Sequence, residues 1–159
     1  MSYPNLSVTI IIPCKTINDL VLQCIDECKQ LAYRPFEIIL LPDISSIPID
    51  GVVIIPTGPI SPGAKRNIGI VKSHSFLCAF IDSDAYPTSN WLSNAVQYLK
   101  QEDIAAVSGP GLTPINSSVM QRAGGFVLSS FMIGSLSSRY SRKNPIDVDD
   151  AHSCNFIVK

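Results

Sequence analysis

The chain has 159 residues, enough for one domain with a true interior, and 46% of them are hydrophobic against 16% charged. That balance excludes an intrinsically disordered chain, and a formal net charge of −1 offers no basic footprint for a nucleic-acid partner. Five cysteines, an odd number, sit in apolar stretches with no signal peptide before them, which points to free thiols in a reducing, cytoplasmic setting.

The first half of the sequence alternates between two periodicities. The β-branched run from Leu6 to Ile12 is continuous and stops at Pro13, which predicts a strand buried on both faces. Leu20, Val21, Cys24, Ile25, Cys28, Leu31 and Ala32 then recur at helical spacing behind the capping oxygens of residues 16–19, and the helix must end before Pro35. Phe36 to Leu41 and Gly51 to Ile55 predict the second and third strands, and Pro62 to Ser73 a second helix. Ser75 to Ile81 predicts a fourth strand, Ser89 to Lys100 a third helix, and Ile104 to Gly109 a fifth strand. Strand alternating with helix implies a mostly parallel sheet with helices on both faces, joined by right-handed crossovers.

Beyond Gly109 the rhythm breaks. Val119 to Leu136 fits neither period cleanly, and its apolar part, Ala123 to Leu136, is too short and too rich in Gly and Ser to span a bilayer. A packed segment, a membrane-surface contact or the lining of an acceptor groove are the readings open to it. Cys154 to Lys159 predicts a last strand, after which the sequence stops abruptly, as a domain cut short would.

Ligands of open parallel sheets gather outside the carboxyl ends of the strands. Those ends offer Pro13, Cys14 and Lys15 from the first strand, Asp43 from the second, and Asp82, Ser83 and Asp84 from the fourth. The stretch between Gly58 and Arg66 imitates a phosphate loop, but Ala64 stands where that loop requires lysine, and Lys65 and Arg66 follow without the Ser or Thr it needs. Pro59 and Pro62 also remove amide donors from it. Lys65 and Arg66 at a predicted helix start suit an anion such as a diphosphate, with a solvated helix cap as the plainer reading. Asp82 and Asp84 are hard oxygen ligands for Mg²⁺ or Mn²⁺. Cys24 and Cys28 share a helix face at zinc-ligand spacing, yet no second pair accompanies them, so small core residues are the better reading.

Taken in order, the segments VTIIIPCK, Asp43 after the second strand, GAKRNIGI, FIDSDAYP and VDDAHSCNFIVK resemble the family 2 glycosyltransferases over nearly the whole chain. The resemblance implies the GT-A fold, a Rossmann-like α/β architecture, with residues 1–110 or so as the nucleotide-binding half and 111–159 as the start of the acceptor half. It implies that Asp43 bonds the base, that Asp82 faces the ribose or metal-bound water, and that Asp84 ligates a Mg²⁺ or Mn²⁺ ion. Pro13, Lys15, Lys65, Arg66, Asn67 and Ser83 are then the other donor-binding positions. The implied partners are a UDP-, GDP- or dTDP-sugar donor and a saccharide or lipid-linked acceptor, with contact to the inner face of a membrane. Pro42 departs from the family, which shows Asp or a small residue there.

The implied reaction is metal-dependent sugar transfer with inversion. Inverting members take their general base from an acidic motif beyond the Cys-Asn strand, so the base is expected past Lys159, with Asp149 and Asp150 as weak substitutes. Two rival readings are a non-catalytic nucleotide-binding module, or inactive fragment, and a sugar nucleotidyltransferase. The second lacks its Gly-rich signature in the PCKTIND stretch after the first strand.

Overall fold

The structure, a computed structural model, describes residues 6–130, 137, 139, 140, 144–148 and 151–159. The chain folds as β1 (Val8–Pro13), α1 (Asp19–Lys29), β2 (Phe36–Leu41), β3 (Val53–Ile54), α2 (Pro62–Lys72), β4 (Leu77–Ile81), α3 (Trp91–Leu99), β5 (Ala106–Ser108), α4 (Val119–Ser129) and β6 (Asn155–Val158). One sheet holds all six strands in the order β3-β2-β1-β4-β6-β5.

The continuous apolar runs behave as expected. β1 is buried at every position and pairs in parallel with β2 on one side and β4 on the other, while β3 pairs in parallel with β2. Period two then divides the core. Val8, Ile10 and Ile12 face α1 and α3, meeting Val21, Cys24, Ile25, Cys28, Trp91, Leu92 and Leu99. Ile11, with Ile39, Leu41 and Phe80, faces the opposite layer, where Ile68 of α2 packs. Each large aliphatic side chain removed from water in this way contributes about 2 kcal/mol. Cys24 and Cys28 lie wholly inside the first cluster as packing residues, in keeping with the core reading.

The helices begin where short polar side chains replace the missing turn. Asn18 caps α1 through its side chain, which accepts from the Val21 amide at 3.1 Å. Ser61 caps α2 ahead of Pro62, and Ser118 with Gln121 forms a capping box at α4.

One expectation is corrected and two open points are filled in. β3 shrinks to two residues because only Ile39 and Leu40 of β2 offer it partners at the sheet edge. The ambiguous stretch resolves into α4 as far as Ser129, a helix with no buried side chain, and residues 131–136 lie outside the described part. β6 does not simply extend a parallel series: it enters between β4 and β5 and is antiparallel to both. Among the described residues no helix is long and apolar enough to cross a membrane.

Candidate functional site

The parallel pairing brings the carboxyl ends of β1, β2 and β4 to one rim, and α2 starts above it. Asp43 leaves β2 with its backbone held at both groups. Its amide donates to the Lys15 carbonyl at 3.0 Å, and its carbonyl accepts from the Gly58 amide at 3.0 Å. Gly58 makes that turn with φ of +74°, a conformation side chains resist. Pro42 contributes to the same turn through its carbonyl, which accepts from the Thr57 amide at 2.9 Å and hydroxyl at 3.2 Å.

Lys65 and Arg66 diverge from adjacent helical positions. Lys65 lies on the sheet-facing side of α2, one turn before Gly69, and is only 2% exposed. Its ammonium donates to the Cys14 carbonyl at 2.5 Å, to the Leu41 carbonyl at 3.2 Å and to the Asp43 carboxylate. An ammonium has three donors, so as folded this one offers none to a phosphate. Arg66 points along the rim instead, and its Nη2 donates to Asp82 Oδ1 at 2.6 Å. The Nε of Arg66 is buried and has no partner among the described residues, which is an unusual state for a donor.

Beyond Ile81 come Asp82 and Ser83, both half-buried, and Asp84, which is exposed. The Asp82 carbonyl accepts from the Ala85 amide at 3.0 Å and closes the turn that carries Asp84. Lys15, just after β1, and Asn67, within α2, are exposed, while Pro13 is buried within β1 opposite Leu41. Asp149 and Asp150 lie outside the described residues.

β6 adds a neighbour. Asn155 pairs with Ile81 in antiparallel register, so Cys154, one residue earlier, falls opposite Asp82. Burial, reinforced by the negative Asp82 carboxylate, pushes the Cys154 thiol from its ordinary 9.0 up to about 11. A raised thiol pKa leaves less thiolate at a given pH, and the thiolate is the nucleophile. At pH 8 iodoacetamide is expected to label Cys154 in the folded chain about a hundredfold more slowly than in the urea-unfolded chain. Peptide mass spectrometry would read both rates, and equal rates would place the thiol outside this environment.

Cys154 was not among the residues singled out from the sequence as site candidates. No local pattern marks it, since its neighbourhood depends on a pairing between residues more than seventy positions apart. The separation of Lys65 from Arg66 did have a signal. Lys65, Ile68, Gly69 and Lys72 recur at i, i+3, i+4 and i+7, which sets Lys65 in the same helical stripe as the residues that pack on the sheet.

The donor set suits a hard divalent cation. Asp82 keeps Oδ2 clear of its bond to Arg66, and Asp84 is exposed beside it. No group of three or more His, Cys, Asp or Glu converges among the described residues. An ion here would draw the rest of its shell from water and phosphate oxygens, as Mg²⁺ and Mn²⁺ commonly do. The residues present therefore fit such an ion.

No curated protein is similar to this sequence at a significant level. Among solved structures, the mannosyltransferase PcManGT from Pyrobaculum calidifontis, in complex with GDP-Man and Mn²⁺, aligns with a TM-score of 0.58 at 20% identity. That alignment covers 69% of this chain and 36% of PcManGT. S. aureus TarS 1-349 in complex with UDP-GlcNAc aligns with a TM-score of 0.57 at 15% identity, over 71% of this chain and 37% of that one. The likeness establishes the GT-A fold, and the chain spans a little over a third of the length of either structure. Sequence carries the assignment further: the description Glycosyl transferase family 2 matches residues 9–158, and the chain belongs to that family.

Proposed function

We propose that this chain forms the donor-binding part of a glycosyltransferase that moves a sugar from a nucleoside-diphosphate sugar to an acceptor hydroxyl with inversion. The observation that carries this reading is the convergence of Asp43, Arg66 and Asp82 on one rim from three separate elements. Their order fits base, diphosphate and metal in turn. The free oxygen of Asp43 accepts only, so it would meet an N–H of the base edge, such as the ring N–H of uracil, thymine or guanine. Arg66, held on the rim by Asp82, would present its guanidinium to the diphosphate. Lys15, Asn67 and Ser83 flank that path as further donor contacts.

Asp84 and Asp82 would hold a Mg²⁺ or Mn²⁺ ion, whose chemistry is to neutralise charge on the departing nucleoside diphosphate. In the transfer, the bond from the anomeric carbon to the diphosphate oxygen breaks as one to the acceptor oxygen forms, and the acceptor proton passes to a general base. The GT-A relatives solved with GDP-Man and UDP-GlcNAc support a nucleotide-sugar partner. The acceptor half we assign to residues 111–159, and the acceptor class to a saccharide or a lipid-linked sugar. Contact with a membrane surface is part of this reading. It is supported by α4, which exposes Val119, Met120 and Phe126, and by the run from Ile104 to Ile146, which carries Arg122, Arg139, Arg142 and Lys143 and no acid.

Calorimetric titration of UDP and GDP, each with and without Mn²⁺, tests the reading. Binding of at least one is expected to depend on the metal and to weaken at least about tenfold in Asp84→Ala. Absence of binding by a folded chain under every condition would refute the donor-site assignment.

A further inference from the structure

We propose that Lys65 is a positioning residue for the donor base, acting through Asp43 rather than on the diphosphate. The inference rests on the donor-site reading above and adds a residue and a division of labour to it.

A lysine 2% exposed needs a physical reason, because an ammonium taken out of water is tolerated only when its donors are matched. Here they are matched by groups that define the rim itself. Two acceptors are the carbonyls of Cys14, which directly follows β1, and of Leu41, the last residue of β2. The third is Asp43 Oδ1. The ammonium therefore ties the position of one carboxylate oxygen to the frame of the sheet.

The backbone of Asp43 is fixed as well, by the Lys15 carbonyl on one side and the Gly58 amide on the other. With backbone and Oδ1 both fixed, little torsional freedom remains to the side chain. It is nonetheless 22% exposed, and its Oδ2 has no partner among the described residues. What results is a single acceptor held at a set place on the rim. A floppy carboxylate would lose side-chain entropy on meeting a base, whereas one already held loses little. Arg66, one residue on, is directed away to Asp82, so the two cations serve different ends of the ligand.

The test separates the base end from the phosphate end in the full chain. Whichever of UDP and GDP binds the wild type more tightly is titrated with Mn²⁺ into Lys65→Met, Asp43→Asn and the double variant, and Mn²⁺-pyrophosphate is titrated in parallel. Lys65→Met is expected to weaken the nucleotide tenfold to a hundredfold, the scale on which orienting partners act, and to leave pyrophosphate within about twofold. In the Asp43→Asn background the lysine exchange is expected to add no further loss. Equal weakening of nucleotide and pyrophosphate would make Lys65 a diphosphate ligand and overturn the proposal, and so would an unchanged nucleotide affinity. A wild-type chain that binds neither UDP nor GDP fails the donor-site reading itself, a distinct result.

Where Lys65→Met does not fold, ¹⁵N-lysine NMR on the wild type decides. The slowly exchanging Lys65 ammonium is expected to shift on adding UMP, or GMP where GDP is the tighter ligand, and to stay in place on adding pyrophosphate. The reverse pattern would overturn the proposal.

Discussion

Gly69→Ala is expected to lower the unfolding free energy by about 1–3 kcal/mol, although the same exchange in an unconstrained helix stabilises it by about 1 kcal/mol. The reason is the seating of α2 on the sheet. A Cβ at position 69 would come 2.6 Å from Cγ2 of Ile11 and 3.1 Å from its Cγ1 and Cδ1. Ile11 is fully buried between β2 and β4 and cannot turn aside, so the helix must lift or the core must deform. Ile11→Ala alone should cost about 2–5 kcal/mol through lost burial and a residual cavity. Combined with Gly69→Ala it should cost less than the sum, because the cavity receives the new methyl. Urea denaturation of the four proteins measures this coupling. A stabilising Gly69→Ala would mean that α2 rides farther from β1 than the structure has it.

The same seating decides the depth at which Lys65 enters the sheet edge. Lys65 and Gly69 are one helical turn apart on the same face, so a helix lifted at position 69 draws the ammonium away from the Cys14 and Leu41 carbonyls. Gly69→Ala should thus weaken nucleotide binding as well as the fold.

Asn155→Ala is the second large effect, at about 2–3 kcal/mol of lost stability. The Asn155 side chain accepts from the indole Nε1 of Trp91 at 2.7 Å and donates to the Pro110 carbonyl at 3.3 Å. Its carbonyl also accepts from the Ser108 hydroxyl at 2.9 Å and the Gly109 amide at 3.1 Å. One residue thereby joins the start of α3, the end of β5 and the first position of β6. Alanine leaves the backbone bonds and strands the indole N–H in the interior, where an unmet donor is costly. Trp91 is the only tryptophan in the sequence, so its fluorescence reports the change directly. The emission is expected to shift to the red as water reaches the ring, and Gly109→Ala should produce a similar shift. A Cβ at position 109 would lie 2.5 Å from Asn155 Nδ2 and push the amide from its place. Unchanged emission and stability in Asn155→Ala would show that the indole finds another acceptor.

The parallel half of the sheet was legible because its information is local. A β-branched run such as VTIII fixes a doubly buried strand wherever it pairs, and the alternation with amphipathic helices fixes the direction of β1 to β4. β6 was visible as a strand but not as an antiparallel insertion, since NFIV carries no record of which strands it will meet. The extent of β3 was overread for a related reason: GVVII has the composition of a longer strand, and the shortage of partners at the sheet edge cuts it down. At the site, the grouping of Asp43, Lys65, Arg66 and Asp82 followed from two strand ends and a helix start. Their pairing did not, because two adjacent cations look alike until the helical stripe separates the one that faces the sheet from the one that faces the rim.

The inserted position of β6 also has a bearing on the order of assembly during synthesis. Among the described residues β5 has β6 as its only partner, so residues 106–108 join the sheet once residues 155–158 have emerged. β1 to β4 can pair as soon as residue 81 is free. For nearly fifty residues after β5, the growing chain therefore presents β4 with an open edge, the kind of edge that invites pairing with another chain. Closure of that edge by β6 is the same event that brings Cys154 against Asp82, so the carboxylate side of the rim takes shape after the parallel strands have paired.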